Sequence, residues 1–266
     1  KKGKRGSAHV SYNGYVAIDN VGKDIKLATA DDLRNYAKAN NFTLPSDEGA
    51  NTDWQKQVER TGISHSHNLA VSGGNDRSNY NVSLNYVDRQ GIIRNTDNKT
   101  FGARAMAQSR VLKDHLTLAL GINANQTTAE GVVNGIKGMS VTDAMVYYSP
   151  LQPVRNADGS WFGSTSVTNY FNPVSMINED TQKNVYKRMQ ITGKADLRII
   201  DGLTLSANYS YMADQNTYSQ YHSTKSQIVN TNGQATRNTY QNNKSVFELY
   251  GNYDTTIAKK HRLGVM

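Results

Sequence analysis

The 266 residues suffice for one large or two ordinary domains, yet only 37% are hydrophobic, mean hydropathy is −0.67, and no run approaches the roughly 18 apolar residues of a membrane-spanning helix. A helical membrane protein is thereby excluded, leaving a soluble protein or a transmembrane β-barrel, whose alternating strands escape any hydropathy average. The absence of cysteine excludes a disulfide scaffold and a thiolate metal site, and the net charge of +8 raises the question of a polyanionic partner.

Sixteen tyrosines beside five phenylalanines and four prolines favour strands over helices. The basic start, Lys1-Lys2-Gly3-Lys4-Arg5, leads into no apolar core and so is not a signal peptide. At the other end, Lys260 to Met266 begins an alternating pattern and stops inside it, so the chain reads as an internal piece of something longer. From Val10 to Ile18 the even positions are Val10, Tyr12, Gly14, Val16 and Ile18 against polar or small odd ones, the period of a strand with one wet face. A long connection follows with two helical pieces, Ala30 to Ala39 capped by Thr29, and Asp53 to Arg60 preceded by Thr52. Strands are then expected over Ile63 to Gly73, Ser78 to Asp88, Phe101 to Gln108 and His115 to Asn125, the last with the cleanest alternation, Leu116, Leu118, Leu120, Ile122 and Ala124 on one side.

An irregular stretch runs from Gln126 to about Tyr186, with one helical candidate, Val141 to Tyr148. Alternation resumes over Arg188 to Ile199, turns at Ile200-Asp201-Gly202, and returns over Leu203 to Tyr211. A polar loop spans Asp214 to Lys244, and a strand covers Val246 to Tyr253. Loop lengths alternate long and short along the chain. With strands of about ten residues, this predicts an all-β fold, an antiparallel up-and-down transmembrane barrel with long loops at one end and tight turns at the other. Soluble sandwich strands average only about 5 to 6 residues. Alternation alone leaves the sign open. In a soluble barrel Arg104, Gln108, Lys194 and Arg198 face solvent outside; in a membrane barrel they line a wet lumen, while Leu118, Leu120, Ile191 and Leu197 meet lipid. Tyrosines near strand ends fit an aromatic girdle or ordinary strand positions equally.

Several motifs resemble one family in order and spacing: Thr52-Asp53-Trp54-Gln55, Arg60-Thr61-Gly62, His67-Asn68-Leu69-Ala70-Val71-Ser72-Gly73-Gly74-Asn75, Tyr80-Asn81-Val82-Ser83-Leu84-Asn85-Tyr86, Gln90-Gly91-Ile92-Ile93-Arg94-Asn95 and Ala103-Arg104. Together they resemble the early barrel of SusC/RagA-family TonB-dependent outer-membrane transporters of Bacteroidota, and the likeness extends more loosely through Ser149-Pro150, Pro153, Asp158-Gly159 and Tyr253-Asp254. The resemblance implies residues 1–7 as a plug-to-barrel junction and 8–266 as about nine strands of a plugged barrel of about 22, with long loops near 20–62, 126–186 and 214–244. It further implies a bacterial outer-membrane location and TonB-energised import of an oligosaccharide or peptide. The implied partners are a SusD-like surface lipoprotein and, through a plug this sequence does not contain, the TonB complex. The competing readings are a surface receptor or adhesin barrel without transport and a soluble glycan-binding β-protein.

No enzymatic constellation is legible, and no cofactor is expected. His65 and His67 share a strand face, but no third ligand is placed beside them, so no metal site is assigned. Asn156, Asp158 and Gly159 form a turn and lack the acid that would close a calcium loop. The candidate substrate residues are Trp161, Phe162, Tyr170 and Phe171 of the longest loop, rings that either stack on a sugar or build a small core ordering that loop. Positive charge is spread along the strands rather than clustered, which argues against nucleic acid as a partner.

Overall fold

A computed structural model describes residues 6–135, 138–163, 170–229, 231–258 and 260–266. Nine antiparallel strands form one sheet in sequence order: β1 (Gly6–Asp19), β2 (Gly62–Gly74), β3 (Ser78–Gln90), β4 (Asp97–Val111), β5 (Leu116–Val132), β6 (Asp180–Ile200), β7 (Leu203–His222), β8 (Gln234–Ile257) and β9 (His261–Val265). Residues 1–5 of the expected junction lie outside the described residues, and Gly6 and Ser7 already belong to β1.

The tight turns follow from local chemistry. Between β2 and β3 the Asn75 carboxamide oxygen accepts from the backbone N–H of Arg77 at 2.9 Å and of Ser78 at 2.8 Å, an Asx turn. Gly202, between β6 and β7, has φ +86°, and a Cβ there would lie 2.3 Å from the Asp254 carbonyl oxygen, so only glycine fits.

Two loop boundaries need correction. The 126–186 loop shrinks because β5 continues to Val132 and β6 begins at Asp180, and the 214–244 loop shrinks because β7 runs to His222 and β8 starts at Gln234. In these extensions both faces carry polar residues, so hydrophobic alternation vanishes while the backbone ladder goes on, pairing Gln215 with Gln241 and Thr217 with Thr239. A tilted strand needs only about 9 to 11 residues to cross a bilayer, so the 20 residues of β7 and 24 of β8 stand well clear of it.

Register places one continuous apolar face across the sheet. Val71, Val82, Ala105, Ile122, Ile191 and Tyr211 occupy one row, and Tyr80, Ala107, Leu120, Gly193, Tyr209 and Phe247 a parallel one. The apolar band slants across these rows. It reaches up to Tyr86 on β3 but only to Phe247 on β8, where Gln241, six residues earlier, holds the row of Tyr86. A level band crossing slanted strands is the stagger of a tilted, closing barrel. No element covers this face among the described residues, leaving Leu120 52% and Leu249 60% exposed. The sign left open by alternation is thereby decided: the apolar side is the outside.

The buried hydrophobic core lies wholly in the long connections. It is built by α2 (Trp54–Val58), α3 (Val141–Tyr147) and α4 (Pro173–Glu179), with Trp54, Val58, Met145, Tyr148, Met176 and Ile177 at its centre. Helix α1 (Ala30–Ala39) has the expected start, a capping box in which Asp32 N–H donates to Thr29 Oγ1 at 3.1 Å and Thr29 N–H donates to Asp32 Oδ2 at 2.9 Å. Helix α2 is shorter than expected. Asp53 rather than Thr52 caps it, and it ends at Val58 because Arg60 N–H donates to the Ile92 carbonyl at 2.7 Å and Glu59 bridges Ile93, pulling the chain into extended form. Helix α4, capped by Asn172 with Pro173 in its first turn, lies in the stretch expected to be irregular, because an Asn-Pro pair signals a turn as readily as a helix start.

Candidate functional site

Two surfaces carry the polar chemistry. The face opposite the apolar one aligns Gln108, Ala119, Lys194, Asn208 and Glu248 in one row and Arg104, Asn123, Gln190, Met212 and Lys244 in another. Lys194 pairs with Asp196 at 3.1 Å, and Asp196 accepts from Ser206 at 2.6 Å. Nearer the loops, Arg188 grips Asp214 at 2.7 Å, and the Tyr186 hydroxyl donates to the same carboxylate at 3.1 Å. Among the described residues no carboxylate lies within salt-bridge distance of Arg104 or Arg198. The four wall residues expected from sequence thus share one polar face, though Arg198 sits at its turn end, opposite Thr204.

The second surface is the loop layer, where the four aromatic candidates do not form one platform. Trp161 is 8% exposed, donates Nε1–H to Glu179 Oε1 at 2.8 Å, and has the Arg155 guanidinium 3.6 Å above its ring. Phe171 packs on the helical core and closes over Gly135. The Phe162 carbonyl accepts from the Tyr148 hydroxyl, the Asn172 amide and the Gln227 amide, each at 3.2 Å. Tyr170 alone pairs with an exposed ring, that of Tyr147, at 5.1 Å between centroids.

Sequence reading missed the cleft beside that ring. About 690 Å³ opens between residues 24–29, 51–55 and 145–150, with Trp54, Tyr147 and Tyr148 supplying aromatic surface and Asp24, Asn51 and Asp53 polar groups. One wall is pinned by Gln55, whose carboxamide accepts from Ile25 N–H at 2.9 Å and donates to Ile25 C=O at 2.8 Å. Trp54 is fixed edge-on to Tyr148 at 4.9 Å, with its Nε1–H on the Ser149 carbonyl at 3.0 Å. Tyr147 is 60% exposed. Burial, then the negative charges of Asp24 and Asp53, push the Glu59 carboxyl up. Aromatic walls with a few convergent polar groups suit an elongated polar ligand. The sequence signal was the Tyr147-Tyr148 pair, read only as the end of the helical candidate Val141 to Tyr148.

The β1–β2 connection is held to α1 by Arg34, which donates to both oxygens of Asp47, at 2.9 and 2.7 Å, and to the Ala50 carbonyl at 2.8 Å. The guanidinium hydrogen bonds and then the Gly49 N–H lower the Asp47 carboxyl to about 2. Because the folded value lies below the unfolded one, the contribution is complete above about pH 4 and disappears as pH falls through about 2. Hydrogen exchange over residues 41–51 is expected to stay flat from neutral pH to about pH 4 once corrected for intrinsic rates. In Arg34→Gln the same segment should already exchange severalfold faster at pH 7, and equal rates in both proteins would refute the clamp.

The chain matches no protein-family model. It is 34% identical over 182 residues to the TonB-dependent receptor SusC of Bacteroides thetaiotaomicron, a match covering 65% of this chain and 18% of that protein. It is 23% identical over its full length to the TonB-dependent receptor P3 of Formosa agariphila, covering 27% of it. Among solved structures, the RagAB peptide transporter superposes on 99% of the chain with a TM-score of 0.78 at 18% identity, over 34% of its own chain; the RagAB importer in its closed-closed state gives 0.77 at 17%. The chain therefore spans between about a fifth and a third of the length of these relatives and neighbours.

Proposed function

We infer that this chain, a stretch of outer-membrane barrel and loop layer of the SusC/RagA type of TonB-dependent transporter, serves in the uptake of an oligosaccharide or peptide, energised through TonB and lidded by a SusD-like surface lipoprotein. The observation that carries this reading is the uncovered apolar face backed by a polar one, on strands joined by tight turns at one end and by helix-bearing loops at the other. In this reading Arg104, Gln108, Lys194 and Arg198 line the lumen, and the cleft at Tyr147 receives the cargo on its way in. Trp161, taken up by Glu179 and Arg155, orders the loop instead of meeting cargo.

The test is growth of a deletion strain on panels of oligosaccharides and peptides as sole nutrient. Loss of growth on one class, restored by the intact gene, is the expected result; undiminished growth on every substrate would sink the uptake reading. In the complementing gene, Tyr147→Ala should raise the half-saturation concentration for uptake about fivefold, the loss of one stacking contact of ~1 kcal/mol, at unchanged surface abundance.

A further inference from the structure

One wall of the loop-layer cleft is an extended segment without a strand partner. Residues 23–28 run from the end of β1 toward α1 without turn or bend, and all of them are exposed, Ile25 at 51% and Leu27 at 38%. Both ends of the segment are fixed. At one, the carboxamide of Gln55, a buried residue of α2, exchanges two hydrogen bonds with the backbone of Ile25, as a neighbouring strand would. At the other, the capping box of Thr29 and Asp32 ties the chain to α1. Among the described residues no hydrogen bond reaches the backbone of Asp24, Lys26, Leu27 or Ala28.

In an extended chain the N–H and C=O of one residue point to one side and those of the next to the other. With Ile25 turned to Gln55, the groups of Asp24, Lys26 and Ala28 form the opposite edge, and all three residues line the cleft of about 690 Å³. Donor and acceptor pairs then recur at every second residue, roughly 6.6 Å apart at about 3.3 Å per residue, which is the repeat of another extended backbone. The hydroxyls of an oligosaccharide follow no such two-residue alternation. Ile25 and Leu27 add a second match, because their uncovered apolar side chains share one side of the segment, where a cross-strand residue would cover them. Tyr147, exposed on another wall of the cleft, offers its ring to a side chain of that strand.

We propose that the cleft takes its cargo as a short extended peptide, added as a strand along the open edge of residues 24–28, with Lys26 N–H donating to the peptide backbone and Lys26 C=O accepting from it. This mode of binding rests on the uptake reading and narrows its cargo from oligosaccharide or peptide to peptide. Because the edge is already held extended, the peptide alone loses backbone freedom on binding.

The full-length transporter, purified in detergent, is offered a tryptic digest of casein and a mixture of malto- and xylo-oligosaccharides, and what it retains is identified by mass spectrometry. Peptides should be retained and oligosaccharides released. The best-retained peptide is then resynthesised with one backbone N-methyl group at each position in turn and titrated against wild type. Methylation of an amide that faces the edge should weaken binding about tenfold, and methylation at the intervening positions should leave it nearly unchanged, so that sensitivity alternates with a period of two. Lys26→Pro, which removes the N–H at the centre of the edge and keeps the backbone extended, should also cost about tenfold. Retention of oligosaccharides or of nothing, N-methyl sensitivity without a two-residue period, or full affinity in Lys26→Pro overturns strand addition. Each of these outcomes leaves uptake itself standing, which falls only if the deletion strain grows undiminished on every substrate.

Discussion

Arginine in place of Leu118 or Ile191 should block assembly of the barrel, at a cost of about 2–4 kcal/mol when the site lies at the bilayer midplane. Both side chains belong to the uncovered apolar face. Leu118 stands in a row between Ser109 and Ala195, and Ile191 between Ile122 and Tyr211. No acid on that face lies near enough in register to neutralise the introduced charge, and hydrocarbon offers no water. One residue along each strand the outcome reverses. Thr117 sits opposite Asp196, and Thr192 opposite Gly121, both on the polar face, so arginine at either position enters a hydrated wall that already holds Arg104 and Lys194. The measurement is the fraction of full-length protein that resists unfolding on an unheated gel after expression in the outer membrane. Equal losses from both pairs would reverse the assignment of faces.

Trp54→Ala should release the loop layer while leaving the sheet standing. The ring is buried in the centre of the helical core, edge-on to Tyr148, and its Nε1–H is the donor that holds Ser149. Truncating a buried tryptophan costs about 3–5 kcal/mol, through lost contacts and the cavity left behind. Here that loss is concentrated where α2, α3 and α4 meet, three short helices held by one another and by loop residues such as Ile93, Val154, Phe171 and Ile228. Added protease should cut within 133–179 far sooner than in wild type, while the unheated gel mobility of the barrel is unchanged. Loops as resistant as wild type would show that the core does not depend on this ring.

The strands were legible where one face is apolar and the other wet, because period two is then written into residue type: Leu116 to Ala124 and Met189 to Ile199 read directly as the strands they are. Legibility failed in the outer reaches of β5 to β8. There, residues such as Thr217, Thr239, Gln215 and Gln241 are polar on both sides, and only the backbone pairing continues. It failed again at α4, whose seven residues are held by Asn172 and the tertiary core rather than by a periodic face. Of the loop aromatics, Trp161 and Phe171 became packing while Tyr147, read only as part of a helix, became the exposed ring of the cleft. A residue's type says that it has a ring to bury, whereas which ring remains outside depends on helices brought together from residues about 95 apart, as between Trp54 and Ser149.

By itself, then, the sequence determined the parity of every apolar strand, the alternation of tight turns with long loops, and the likeness to one transporter family, since all three depend on neighbours in the chain. The tertiary structure decided which face is outside, how far the strands reach beyond the apolar band, and where the loop layer opens a cleft. These depend on what stands against each surface, Leu120 bare and Trp54 covered, and no spacing along a chain encodes that, because burial is a property of contacts made across it.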